Sequence, residues 1–200
     1  MDKQRPQAMH LGALAKDATL TYIPRPTDVD HRMITPPCLD PENPHVRAMQ
    51  AAYAQACMAY QSGEVPVGAV VVDAQGTIVA QGYNRTMSDH DPTAHAEIVA
   101  LRAAARQAGN YRLPDYSLYV TLEPCAMCLG AMLHARLRTV VYGAPDPKTG
   151  ACGGLLNLAD NAQLNHHTQV IGGVLAEPCG TLLRQFFRAR RGARIKTEQS

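Results

Sequence analysis

No stretch of the chain approaches the roughly eighteen uninterrupted apolar residues of a membrane-spanning helix, so a membrane protein is not expected. The start of the chain lacks a basic cluster followed by an apolar run and a small-residue cleavage site, which leaves no secretory signal to read. It also lacks the acid-poor balance of an organelle-targeting segment, because Asp2, Asp17, Asp28, Asp30, Asp40 and Glu42 offset its bases. A cytoplasmic location is expected. The six cysteines do not form the evenly distributed set of an extracellular disulfide scaffold: Cys125 and Cys128 are a tight pair and the rest are scattered. Internal repeats and low-complexity tracts are absent.

What is present fits a soluble globular chain of 200 residues, 46% hydrophobic and 18% charged, with a net charge of +2. The average conceals three unlike regions. Residues 1–44 hold seven of the fourteen prolines and are expected to be an irregular extension, with one short helix near Leu11, Leu14, Ala18 and Tyr22. Residues 45–192 carry regular patterning. Residues 184–196 hold six basic side chains and no acid, and 193–200 read as a flexible basic tail. Such a basic run is either a solvated helix face or a surface for phosphates.

A helix is expected from Pro44 to about Gln61, ended by Ser62-Gly63. Pro66–Val72 and Ile78–Tyr83 read as a hairpin across Asp73-Ala74-Gln75-Gly76. Asp91-Pro92-Thr93 opens a helix to about Ala108, stopped by Gly109-Asn110. Strands are expected at Leu118–Leu122, Thr139–Tyr142 and Val170–Leu175, with helices from Cys125 through His134 and from Pro178 to Arg191. The segment 143–154 is rich in turn residues. Alternation of this kind predicts an α/β/α three-layer fold around a mixed sheet of about five strands.

Three candidate metal ligands stand out: His95, Cys125 and Cys128. A Cys-x-x-Cys pair at a helix start brings two sulfurs onto one tetrahedral ion, and a histidine from a neighbouring helix makes a third ligand. Three protein ligands leave a position for water, as in catalytic zinc; Cys152 or Cys179 as a fourth would make the site structural. Taken singly, the pair also fits a thiol redox centre and Glu97 a solvated first-turn acid. Together they place Glu97 as the general acid/base, taking a proton from activated water and returning it to substrate nitrogens, with the Cys125 backbone N–H steadying the developing oxyanion.

His95-Ala96-Glu97 with Pro124-Cys125-Ala126-Met127-Cys128 resembles the zinc-dependent nucleoside and nucleobase deaminases. The strings Glu64-Val65-Pro66-Val67-Gly68-Ala69-Val70, Gly82-Tyr83-Asn84-Arg85, Asp91 to Glu97, Thr121 to Cys128, Gly143 with Asp146 and Lys148-Thr149-Gly150, and Phe186-Phe187-Arg188 narrow the resemblance to the tRNA-specific adenosine deaminases, over roughly residues 45–192. The resemblance implies a homodimer with one Zn(2+) per subunit and no nucleotide cofactor. It further implies conversion of the wobble adenosine of an arginine tRNA anticodon stem-loop to inosine. It assigns His95, Cys125 and Cys128 to the metal, Glu97 to catalysis, and Asn84, Asp146, Asn165, His166, Phe186, Phe187 and Arg188 to substrate binding. Which of Phe186 and Phe187 meets RNA and which packs in the core stays open, as does the role of residues 1–44. Arg85 and Lys148 are further phosphate candidates. The rival readings are a zinc deaminase of a free nucleoside or base, such as cytidine, deoxycytidylate or guanine, and a zinc-stabilised RNA-binding module without catalysis.

Overall fold

The computed structural model describes residues 43–197. The expected helix near Leu11–Tyr22, with the rest of the segment before residue 43, lies outside the described residues. Helix α1 (Pro44–Gln61) starts where a proline has no N–H to lose, and Asn43 Oδ1 accepts the His45 N–H at 2.9 Å. Strands β1 (Gly68–Val72) and β2 (Ile78–Tyr83) form the expected antiparallel hairpin; Asp73 Oδ1 accepts the N–H groups of Gln75 and Thr77 and shapes its turn. There follow α2 (Ala96–Ala108), β3 (Ser117–Leu122), α3 (Ala126–His134), β4 (Thr139–Ala144), β5 (Gln169–Ile171) and α4 (Ala176–Thr197).

The sheet has the order β2-β1-β3-β4-β5, antiparallel where β1 meets β2 and β3 and parallel from β3 to β5. Period-two alternation sends neighbouring residues to opposite faces. Ala69, Val71, Leu118, Val120 and Val140 pack with α2 and α3. Val70, Val72, Tyr119 and Val141 pack with α1 and with Cys179 and Leu182 of α4. This is the expected three-layer α/β/α arrangement. At Gly68 the backbone of α1 rides directly on the strand, and a Cβ there would collide with the Ala52 carbonyl and the Ala56 amide.

Three elements depart most from the expected bounds. Asp91–Ala94 is a separate turn, with the Thr93 N–H and hydroxyl both on Asp91 Oδ1 at 2.7 Å, so α2 begins only after His95. Strand β5 stops at Ile171 because Gly173 and Leu175 take φ values of 90° and 56°, which no strand accommodates. Helix α4 starts at Ala176 and continues to Thr197. The helix thus takes in residues 193–197 of the expected tail 193–200, and residues 198–200 lie outside the described residues; one glycine, Gly192, does not outweigh the helix-forming Ala, Arg and Lys around it. Among the described residues no helix is long and apolar enough to cross a membrane.

The topology places the site. The parallel strands β3 and β4 point their C-terminal ends the same way, and the segments leaving them, Glu123–Cys125 and 145–154, meet there as the Cys125–Gly150 bridge.

Candidate active site

His95 and Cys125 occupy equivalent positions, each the extended N-cap residue of a helix (φ −70°, ψ 153° and φ −75°, ψ 171°). Neither side chain caps its own helix, so the imidazole and thiol are available to each other at the positive ends of two helices. His95 Nδ1 lies 3.8 Å from Cys125 Sγ and 3.5 Å from Cys128 Sγ, and the three donor atoms all fall within 4.8 Å of one another. An ion bound tetrahedrally to sulfur at about 2.3 Å and nitrogen at about 2.0–2.1 Å separates those atoms by about 3.6 Å. The donors present therefore fit zinc in spacing and chemistry. Among the described residues no fourth His, Cys, Asp or Glu joins them, so neither Cys152 nor Cys179 completes a structural site.

Glu97 stands in the first turn of α2, buried beside this cluster but outside it. Burial raises its pKa, opposed by the hydrogen bond from its own N–H and by His95. A carboxyl of that kind holds a proton more readily than a solvated one, as a proton-transfer group requires. The two thiols differ. Cys125 is drawn down to about 4 by hydrogen bonds from Cys128 and His95, against burial, so it ionises readily. The Cys128 thiol is pushed up, first by donating its proton to Cys125 and then by burial. His95 is raised chiefly by its bond to Cys125.

Two loops flank the cluster, and each hangs on a buried glutamate. Asn84, buried at the end of β2, accepts the Ala96 N–H on Oδ1 at 3.0 Å and so caps α2. The residues after it are held by Glu64, whose Oε1 accepts the N–H groups of Met87 (3.0 Å) and Ser88 (2.7 Å) and the Ser88 hydroxyl (2.9 Å). Across the site, Glu123 accepts the N–H groups of Asp146 (2.9 Å), Cys152 (2.9 Å) and Gly154 (2.8 Å). Asp146 then accepts from the Lys148 and Thr149 N–H groups and from the Thr149 hydroxyl. Partial burial works against ionisation of Asp146, but these hydrogen bonds outweigh it and hold its pKa below the usual range.

The phenylalanine pair divides cleanly. Phe186 is buried and meets Tyr60 edge-on at 5.5 Å between ring centres, with the Arg190 guanidinium over its ring, so its place is in the packing of α4 rather than on the surface expected of an RNA contact. Phe187 is 44% exposed. It lines a cleft of about 420 Å³ with Lys148, Arg184, Arg188 and Arg191, a mainly basic surface with an aromatic face in it, in which Arg184 is paired with Glu177. Arg85 is committed elsewhere: its guanidinium grips Asp89 through Nε and Nη2 and lies over the Tyr83 ring.

Asn165 and His166 are not brought to the metal cluster. The Asn165 carbonyl accepts from Arg136 at 2.8 Å and His166 Nε2 pairs with the Leu137 carbonyl at 2.8 Å, both beyond the C-terminal end of α3, whereas Cys125 and Cys128 lie at its start. Nine helical residues separate these places by about 13 Å. Glu64 and Glu123 carry functions the sequence alone did not reveal. Their signal was an acid within an apolar or proline-flanked stretch, which local pattern does not distinguish from a surface acid.

The zinc-binding region of cytidine and deoxycytidylate deaminases matches residues 42–144. The tRNA-specific adenosine deaminase of Haemophilus influenzae is 49% identical over 145 residues, covering 72% of this chain and 84% of that protein. Its counterpart in Bacillus subtilis is 44% identical over 143 residues, covering 72% and 88%. A solved structure from a study of A-to-I editing by tRNA deaminases at the wobble position of transfer RNA superposes with a TM-score of 0.66 at 40% identity, over 68% of this chain and 99% of that one.

Proposed function

The chain belongs to the tRNA-specific adenosine deaminases of the zinc-dependent cytidine deaminase superfamily, and from that premise we propose that it converts the wobble adenosine of a tRNA anticodon to inosine by hydrolytic deamination. One continuous arrangement carries the reading. The His95–Cys125–Cys128 cluster with Glu97 joins, through Glu123, the loop whose Lys148 borders the basic, aromatic cleft of α4. A free nucleoside has no use for that cleft, and a mere zinc-stabilised module has no use for a buried acid beside a three-donor site.

His95, Cys125 and Cys128 would hold the zinc ion, which when bound would make water a usable nucleophile near neutral pH. Glu97 takes the proton that this water gives up as it adds to the purine carbon bearing the amine. It passes that proton to the ring nitrogen, then takes the second proton from the added hydroxyl as the carbonyl forms and gives it to the departing amine, so that ammonia leaves. The Cys125 N–H at the start of α3 steadies the oxygen as charge develops. The Asn84 amide, its oxygen already fixed by Ala96, presents its N–H₂ to the extruded base. Asp146 suits a ribose hydroxyl or base amine, since phosphate would repel it. Phe187 offers a stacking face, while Arg188, Lys148 and Arg191 approach the backbone. Asn165 and His166 are left for more distant parts of the stem-loop.

An arginine tRNA, a cytoplasmic location and a homodimer complete the proposal. The apolar cleft between α2 and α3, lined by Ile98, Leu101, Met127 and Ala131 and edged by the exposed Tyr111, provides a face suited to a second copy. The test is product identity: inosine in an anticodon stem-loop, and none from free adenosine, cytidine or guanine.

A further inference from the structure

Glu123 is a 3% exposed carboxylate whose three hydrogen-bond donors are all backbone N–H groups of one loop. Filling space would have been served by an apolar side chain; burying a carboxylate is worthwhile only when its lone pairs are met, and the residue then dictates where those donors sit. The loop is moulded tightly to it. A Cβ at Gly150 would collide with the Glu123 carboxylate, and one at Gly154 would collide with the carboxylate and with the Asp146 carbonyl. The same side chain leaves the backbone two residues before Cys125. One short segment thus fixes a metal-ligand position and, through Oε2, the amide of Asp146.

We propose that Glu123 is a positioning residue for substrate recognition: it sets the distance between the metal cluster and Asp146, and hence the fit of the nucleotide between them. The inference rests on the proposed RNA deamination and on Asp146 as a substrate contact. Glu64 supplies the comparison, because it is equally buried and holds a loop by similar bonds, but that loop is Thr86–Ser88 and not the one bearing Asp146.

The experiment is a double-mutant cycle on the zinc-loaded full chain, with KM and kcat measured for an anticodon stem-loop alongside zinc content and melting temperature. E123Q keeps the shape but offers one acceptor oxygen where two are used. It is expected to raise KM about tenfold with kcat within about twofold and zinc retained. Its effect and that of D146N should combine to less than their product, whereas E64Q and D146N should multiply. A folded, zinc-loaded E123Q with unchanged KM, or one whose effect multiplies with that of D146N, overturns the inference. Should E123Q fail to fold, G154A crowds the Asp146 carbonyl with the carboxylate retained; it is expected to raise KM, and a wild-type KM overturns the inference equally. A wild-type chain inactive on the stem-loop instead overturns the proposed function itself.

Discussion

Asn84 Oδ1 accepts the N–H of Ala96 at 3.0 Å, so the residue that follows β2 caps the helix that begins after His95 and carries Glu97 in its first turn. The cap fixes the amide oxygen, and the proposed function gives the N–H₂ to the substrate base. N84A should therefore cost stability, about 0.5–2 kcal/mol for a lost cap, and activity as well. N84D keeps an acceptor at a helix start but has no N–H₂, and should melt close to wild type while its turnover falls at least about tenfold. Melting curves and stem-loop kinetics on the two variants separate the roles; an N84D enzyme of normal activity would remove Asn84 from base recognition.

Glu97 lies beside the ligands without joining them. E97Q should bind zinc normally and lose about 10²- to 10⁴-fold in turnover, the span expected for a proton-transfer group. C125S with C128S should lose both zinc and turnover. Metal analysis of the purified proteins next to their rates checks the separation.

The metal motif was legible because its chemistry is local: a spacing of three residues on one helix, a histidine two before a glutamate, each at a helix start. The strands and most helices followed from alternation and from Gly63, Gly109 and the Asp73–Gly76 turn. The rest depended on long-range partners. Asp91-Pro92-Thr93 looks like a helix start, but Asp91 closes a turn on Thr93 instead. Phe186 and Phe187 are adjacent and alike, and only the seating of α4 against Tyr60 decides which is buried. Glu64 and Glu123 are ordinary acids until the loops that donate to them, more than twenty residues away, are folded over them.

Because that seating assigns the two rings different work, their truncations should part. F186A should destabilise by about 3–5 kcal/mol, as for a large buried aromatic. F187A should change stability by less than about 1 kcal/mol and raise KM for RNA instead. R188A should flatten the dependence of the logarithm of RNA affinity on the logarithm of salt concentration by about one unit, as when one phosphate contact is lost. Denaturant melts and binding titrations at several salt concentrations measure both effects.

Between α1 and α4, burial pushes the Cys57 thiol from 9.0 up to about 11 and the Cys179 thiol up to about 12. Burial, followed by the neighbouring Cys57 and Cys179, pushes Tyr53 up to about 12. Each group has a folded pKa above its unfolded one. Their contribution is complete below about pH 9 and is lost as the unfolded chain ionises alone and the pH climbs toward 11–12. Melting temperature should be flat from neutral pH to about 8.5 and fall beyond it, less steeply in C57A; a C57A profile parallel to wild type would contradict this origin.

The central claim is that the buried acid, the three-donor cluster and the basic cleft act on one nucleotide of a tRNA. The direct measurement is mass mapping of nuclease fragments from tRNA incubated with the zinc-loaded protein, beside E97Q. The account predicts replacement of an amine by a carbonyl at the wobble adenosine alone, dependent on Glu97. Unmodified tRNA together with efficient deamination of a free nucleoside or base would contradict it.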